Sequence, residues 1–207
     1  MESKATNRNI KVASNGLLIV LLILAQGLDA SLALRGILQS ILIPLFFVIN
    51  AFDIEKYDVV ESLDRSFNEL VKPYAVICVI EAFINIIAQR GVDEGYNLFI
   101  SVIRGMIGGM SNSSEYFLTF PFVGSVWIIG CVFVSKNLYV GIRQFFKDKH
   151  EIFPAIAIVV FSLGGAFVGS HVAYFPWSLD LAVAFLGFMY LGDCVRKWGM
   201  LDSKIVK

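Results

Sequence analysis

The chain has 207 residues, 57% of them hydrophobic and 16% charged, and its 17 basic and 17 acidic side chains leave no net charge. Soluble domains run about 45–50% apolar and about 25% charged, so the composition excludes an ordinary water-soluble domain and points to an integral membrane protein. Zero net charge offers no bulk attraction to a phosphate backbone, which excludes nucleic acid as an expected partner.

A spanning helix needs about 20 mostly apolar residues. Six stretches are predicted to cross a bilayer: about 15–33, 36–53, 73–89, 121–141, 152–173 and 178–195. The expected fold is therefore all-α, a polytopic helical bundle of about six transmembrane helices, with residues 1–207 forming a single membrane domain. The first run, "GLLIVLLILAQGLDA" (16–30), is unbroken hydrocarbon from Leu17 to Ala25 and then carries Gln26 and Asp29. It lacks a small-x-small cleavage site and a second apolar run follows at once, so it reads as a span rather than a cleaved leader. The second span holds Pro44, which removes a helix hydrogen bond and predicts a kink or tilt. After it, "DIEKYDVVESLDRSFNELVK" (53–72) reads as a solvated surface helix in which Glu61 and Arg65, four apart, can pair.

The stretch "YNLFISVIRGMIGGM" (96–110) carries three glycines and Arg104 and is expected to be interfacial or re-entrant. "SNSSEYF" (111–117) is then a polar loop. Trp127 and Trp177 fall near helix ends, where an aromatic belt would place them. Cys78, Cys131 and Cys194 lie in or beside apolar runs at spacings that match no zinc site or disulfide framework, so buried structural thiols and no metal are expected.

Basic residues set the orientation. With the N-terminus in the cytoplasm, the inner segments hold Lys4, Arg8, Lys11, Lys56, Arg65, Lys72, Arg143, Lys147, Lys149, Arg196, Lys197, Lys204 and Lys207. The outer segments hold only Arg35, Arg90 and Arg104, and Lys136 falls inside a span. Thirteen against three places both termini in the cytoplasm.

Ionisable and amide side chains at membrane depth are functional candidates by default. They are Gln26, Asp29, Asn50, Glu81, Asn85, Lys136, His171 and Asp180. Glu81 and Lys136 both fall toward the cytoplasmic half of antiparallel spans, so an interhelical ion pair is expected. Asp29, His171 and Asp180 lie near the outer surface and can simply be wet.

Two regions carry more than composition. The first holds "NGLLIVLLILAQG", "ILQSILIPLFFVINAF" and "LDRSFNELVKPY" between residues 15 and 74; the second is "FPWSLDLAVAFLGFMYLGDCVRK" (175–197). "IPLFF", "KPY" and "PWSLD" occur in the order and approximate distances of the acyltransferase-3 family of membrane acyltransferases, and "VGSVWIIGCVF" (123–133) is similar to its tryptophan-containing helix. The chain resembles the polysaccharide O-acetylase branch of that family, as a divergent member that is short at the C-terminus.

The resemblance implies transfer of an acetyl group from acetyl-CoA, as acyl donor rather than bound cofactor, to a surface polysaccharide. Lipid bilayer, and polysaccharide or another membrane subunit, are then the expected partners. The family's catalytic positions are substituted here. Gln26 stands at the first-helix histidine, Leu42 at the second-helix histidine, and Asn15 at a basic residue. Acetyl transfer to a hydroxyl needs a group that exchanges a proton near neutral pH, which neither an amide nor an alkyl side chain does. No catalytic residue is assigned; Gln26, Asn50, Glu81, Lys136, Trp177 and Asp180 are the candidate binding residues. Three readings stay open: a degenerate binding or accessory protein, an active O-acyltransferase with a relocated base, and a small transporter or channel.

Overall fold

A computed structural model describes residues 13–22, 24–25, 33–52, 54, 58–77, 79–80, 127–171 and 176–198. Every regular element among them is helical. The elements are α1 (Ala13–Leu22), α2 (Ala33–Ala51), α3 (Val59–Ser66), a wider π-type turn (Phe67–Val71), α4 (Trp127–Phe145), α5 (Ile152–His171), a 3₁₀ turn (Pro176–Ser178), α6 (Leu179–Ala184) and α7 (Leu186–Lys197). Residues 72–77 continue the helical path beyond the π turn. The chain divides into two compact units, 1–56 with 187–207, and 57–186.

Two helices, α2 and α5, are long and apolar enough to cross a membrane by length and composition. A core helix of a soluble protein would pass the same test, but it would be mostly enclosed. In α2 only 22%, and in α5 only 17%, of the apolar window is buried. Ile156, Val160, Leu163 and Phe167 of α5 are each more than half exposed. An apolar face of that extent has hydrocarbon as its natural solvent.

In the first unit α2 is built around Pro44. Proline cannot donate to the carbonyl of Ser40, one turn earlier. Gly192 lets α7 come close to α2: a Cβ there would strike the Val48 carbonyl and lie 2.8 Å from Ala51 Cβ. Leu42, Phe46, Phe47 and Ala51 of α2 and Met189 of α7 are core residues.

In the second unit Asp58 caps α3, its carboxylate accepting from the Glu61 N–H at 3.0 Å. Arg65 pairs forward with Glu69 in the π turn, at 3.2 Å, and not back with Glu61 as the spacing predicted. Both partners lie four residues away, and the wider turn holds Glu69 within reach. The helix α4 runs antiparallel to α3: Val59 lies beside Gly141 and donates its N–H to the Gln144 side chain (3.0 Å), while Ser62 Oγ donates to Asn137 Oδ1 (2.9 Å). Also at the C-terminal end of α4, Arg143 grips Glu151 through both terminal nitrogens, at 2.6 and 2.8 Å, closing the turn into α5. The helices α5 and α6 meet along Gly165 and Gly169. A Cβ at Gly165 would come within 2.6 Å of the Ala184 nitrogen, so this small-xxx-small seam lets two backbones touch.

The stretch expected as a continuous span over 178–195 is interrupted at Phe185, where φ −84° and ψ 3° leave the helical region. The stretch thus divides into α6, whose six residues are apolar apart from Asp180, and α7. Trp127 is buried, at 7% exposure, instead of facing a lipid interface. The aromatic-belt reading fails there because α4 is enclosed along its first six residues.

Candidate functional site

The polar residues that α1 and α2 carry find each other. Asn15 and Asn50 form a reciprocal amide pair, with Nδ2 of each donating to Oδ1 of the other at 3.4 and 3.3 Å. Asn50 also donates to the Phe46 carbonyl one turn back, at 2.8 Å. At 1% exposure, Asn50 needs all of this, because a buried amide without partners costs about 1–3 kcal/mol. Leu42 lies two turns earlier on α2 and is buried. Of the three substituted family positions, Asn15 is therefore engaged in packing and Leu42 is core; Gln26 lies outside the described residues.

In the second unit α4 carries polar side chains on different faces. Adjacent helix positions differ by about 100°. Asn137, Gly141 and Gln144 form the stripe against α3. Cys131 and Ser135, one turn apart, lie on the far side of the helix from that stripe, and Cys131 Sγ is 3.7 Å from the Ser178 carbonyl oxygen. Lys136 is buried between these stripes, at 3% exposure, on the same side as Arg143 two turns on. Its expected partner Glu81 lies outside the described residues, as do Asp29 and Asn85. His171 ends α5 exposed, its ring stacked on Phe167 at 4.4 Å and 27°.

The turn that carries "PWSLD" has an unusual backbone. Trp177 (φ 55°, ψ 26°) and Ser178 (φ 47°, ψ 49°) are both left-handed. Neither is glycine, so each costs about 1–2 kcal/mol, and the surroundings must hold them there. They do so by packing. The Trp177 ring lies over Gly130, whose added Cβ would meet it at 3.7 Å, and it meets Phe133 edge-on at 5.6 Å. Ser178 is 2% exposed.

Two residues further on, Asp180 is 8% exposed and its carboxylate rests against Gly169. Among the described residues no hydrogen-bond donor or cation contacts it. Ser135 Oγ, wholly buried on α4, has no hydrogen-bond partner either, and the same holds for Ser66 Oγ on α3.

Sequence reasoning singled out Asn50, Lys136, Trp177 and Asp180, and all four are buried or half-buried in the structure. It named Asn15 only as a substitution and missed it as the partner of Asn50. It also missed Ser135, and Asp193 of α7, which is fully enclosed and held by Arg196 (2.6 Å) and Lys197 (3.4 Å). The bases three and four residues after Asp193 were the available signal. Cys131 is a buried free thiol as expected, and Cys194 a half-buried one.

No protein-family model, curated protein or solved structure matches the chain.

Proposed function

We propose that this protein is a six-span helical component of a bacterial cytoplasmic membrane, of acyltransferase-3-like descent, that binds or assists without transferring an acetyl group itself. The observation that carries this reading is the reciprocal Asn15–Asn50 pair. Where the family would place a basic residue, this chain has an amide whose hydrogen-bonding capacity goes to a neighbouring helix. Leu42, where the family would place its second histidine, is core and carries no proton-exchanging group. A positioned acid–base group contributes about 10²–10⁴ in rate, and these positions supply none. The work left to such a protein is recognition of a polysaccharide segment or of a complete acyltransferase subunit.

The test is direct. Purified protein in proteoliposomes, given acetyl-CoA and oligosaccharide acceptors, should transfer no acetyl group above the lipid blank. Robust transfer that disappears in Gln26→Ala would overturn the reading in favour of an active enzyme. Transfer that survives Gln26→Ala but is lost in Glu81→Gln would identify a relocated base.

A further inference from the structure

The turn from α4 into α5 is held in place from within and presents its side chains outward. The backbone N–H groups of Lys147 and Lys149 donate to the Gln144 and Phe146 carbonyls, at 3.3 and 3.0 Å, and the Arg143–Glu151 pair clamps the two ends. That pair cancels its own charge. Lys147 and Lys149 are both exposed, and neither ammonium group has an ion-pair or hydrogen-bond partner among the described residues. Asp148 is the one acid between them, so the turn keeps a net positive charge.

The same turn is strongly apolar on its flanks. Phe145 is 81% exposed, the highest value of any large apolar side chain among the described residues, and it meets Phe146 edge-on at 5.0 Å. Ile152, Phe153 and Ile156 open α5 and are each more than half exposed. They precede the exposed Val160, Leu163 and Phe167 on the same apolar helix. Water is a poor solvent for such a run. Exposed rings at the end of an apolar helix, with lysines beside them, match the layering of a bilayer edge, where acyl chains give way to headgroups.

We propose that the turn Phe145–Phe153 is a docking site for an anionic phospholipid: Lys147 and Lys149 take the headgroup phosphate, and Phe145 and Phe153 lie along the first carbons of its chains. Charge complementarity selects the anionic class, since a zwitterionic headgroup brings no net negative charge to two unpartnered lysines. In the orientation given by the basic residues the turn faces the cytoplasm, and the cytoplasmic leaflet is the one that carries anionic lipid. The proposal rests on the bilayer reading above and is independent of acetyl chemistry.

The full chain is purified from mixed phosphatidylglycerol and phosphatidylcholine micelles, and the lipid it retains is counted by native mass spectrometry. A lysine close to an anionic surface contributes about a fivefold preference, and Asp148 offsets one of the two, so the turn should add about a fivefold enrichment of phosphatidylglycerol. Lys147→Gln with Lys149→Gln should remove that enrichment. Asp148→Asn should raise it several-fold. Phe145→Ser should lower retention of both lipids and leave their ratio unchanged. All these side chains are exposed, so the variants should unfold at the wild-type midpoint. Enrichment that survives the double lysine variant overturns the proposal. Displacement of phosphatidylglycerol by inorganic phosphate, beyond what chloride of equal ionic strength does, overturns the lipid assignment in favour of a soluble anion. Alkaline-washed membranes separate the two readings. A chain retained there without lipid preference refutes the docking site alone, whereas a chain released into the wash refutes the bilayer reading and the site together.

Discussion

Asp193 and Asp180 are both enclosed carboxylates, and the chain treats them in opposite ways. Asp193, in the first unit, is fully buried and held by Arg196 and Lys197 from the next turn of its own helix. Asp180, in the second unit, is 8% exposed and has only Leu, Ala and Val after it in α6. A local ion pair settles a buried charge during helix formation and needs no tertiary contact. A buried charge without one depends on what arrives from elsewhere. Asp193 is thus settled by its own helix, whereas the enclosure of Asp180 depends on the approach of α5 along Gly165 and Gly169.

The largest effect should come from the seam that presents Asp180. Gly165→Val would drive a branched side chain into the Ala184 nitrogen and the Asp180 carbonyl, which already lie 2.6 and 2.9 Å from an added Cβ. Backbone atoms cannot yield as a flexible side chain would, so the cost should exceed about 3 kcal/mol. Folded yield after detergent extraction should collapse. A variant that unfolds at the wild-type midpoint would show that α5 and α6 do not touch along this line.

The two carboxylates should then separate under matched substitution. Asp193→Asn removes the partner of two bases and leaves the Arg196 guanidinium, whose side chain is 26% exposed, without its closest oxygen. Partial exposure screens the loss, so about 1–2 kcal/mol of destabilisation is expected. Asp180→Asn should cost less than that or stabilise the fold, because an amide is cheaper to enclose than a bare charge. Denaturant midpoints of the two variants in one detergent check the order. Equal losses would mean that Asp180 has a structural partner after all.

Much of this was legible beforehand and part of it was not. The helical class, and α2 and α5 as helices long and apolar enough to cross a membrane, follow from length and apolarity alone, since those properties decide solvent preference residue by residue. The break at Phe185 was hidden because residues 181–192 run from Leu181 to Gly192 without a charged side chain; composition reports the medium a segment prefers and is silent on local backbone angles. Trp127 misled because an amphipathic ring suits an interface and a core equally well. Asp180 was visible as an ionisable group in an apolar run, whereas the orphan state of Ser135 was not, since serine in a helix ordinarily returns its hydrogen bond to its own backbone. Asn15 and Asn50 are 35 residues apart, and only the pairing of α1 with α2 shows that one polar residue answers the other.

That amide pair gives the smallest effect. Asn50→Leu removes the bonds to Asn15 and to the Phe46 carbonyl and leaves the Asn15 amide facing an alkyl group. Interhelical hydrogen bonds in bilayers average only about 0.6 kcal/mol by double-mutant cycles, because the unfolded helices find other partners in the membrane. An unsatisfied buried amide adds to that, so Asn50→Leu should cost about 1 kcal/mol. Asn15→Leu in the same background should cost little further, since the amide it removes has already lost its partner. A coupling energy of about 0.5–1 kcal/mol therefore distinguishes a mutual pair from two residues that are merely near each other. The cycle also bears on function. If Asn15 instead contacts a ligand, Asn15→Leu will weaken binding in the Asn50→Leu background as strongly as in the wild type. Coupling near zero would then return Asn15 to the candidate binding residues and weaken the case for an accessory role.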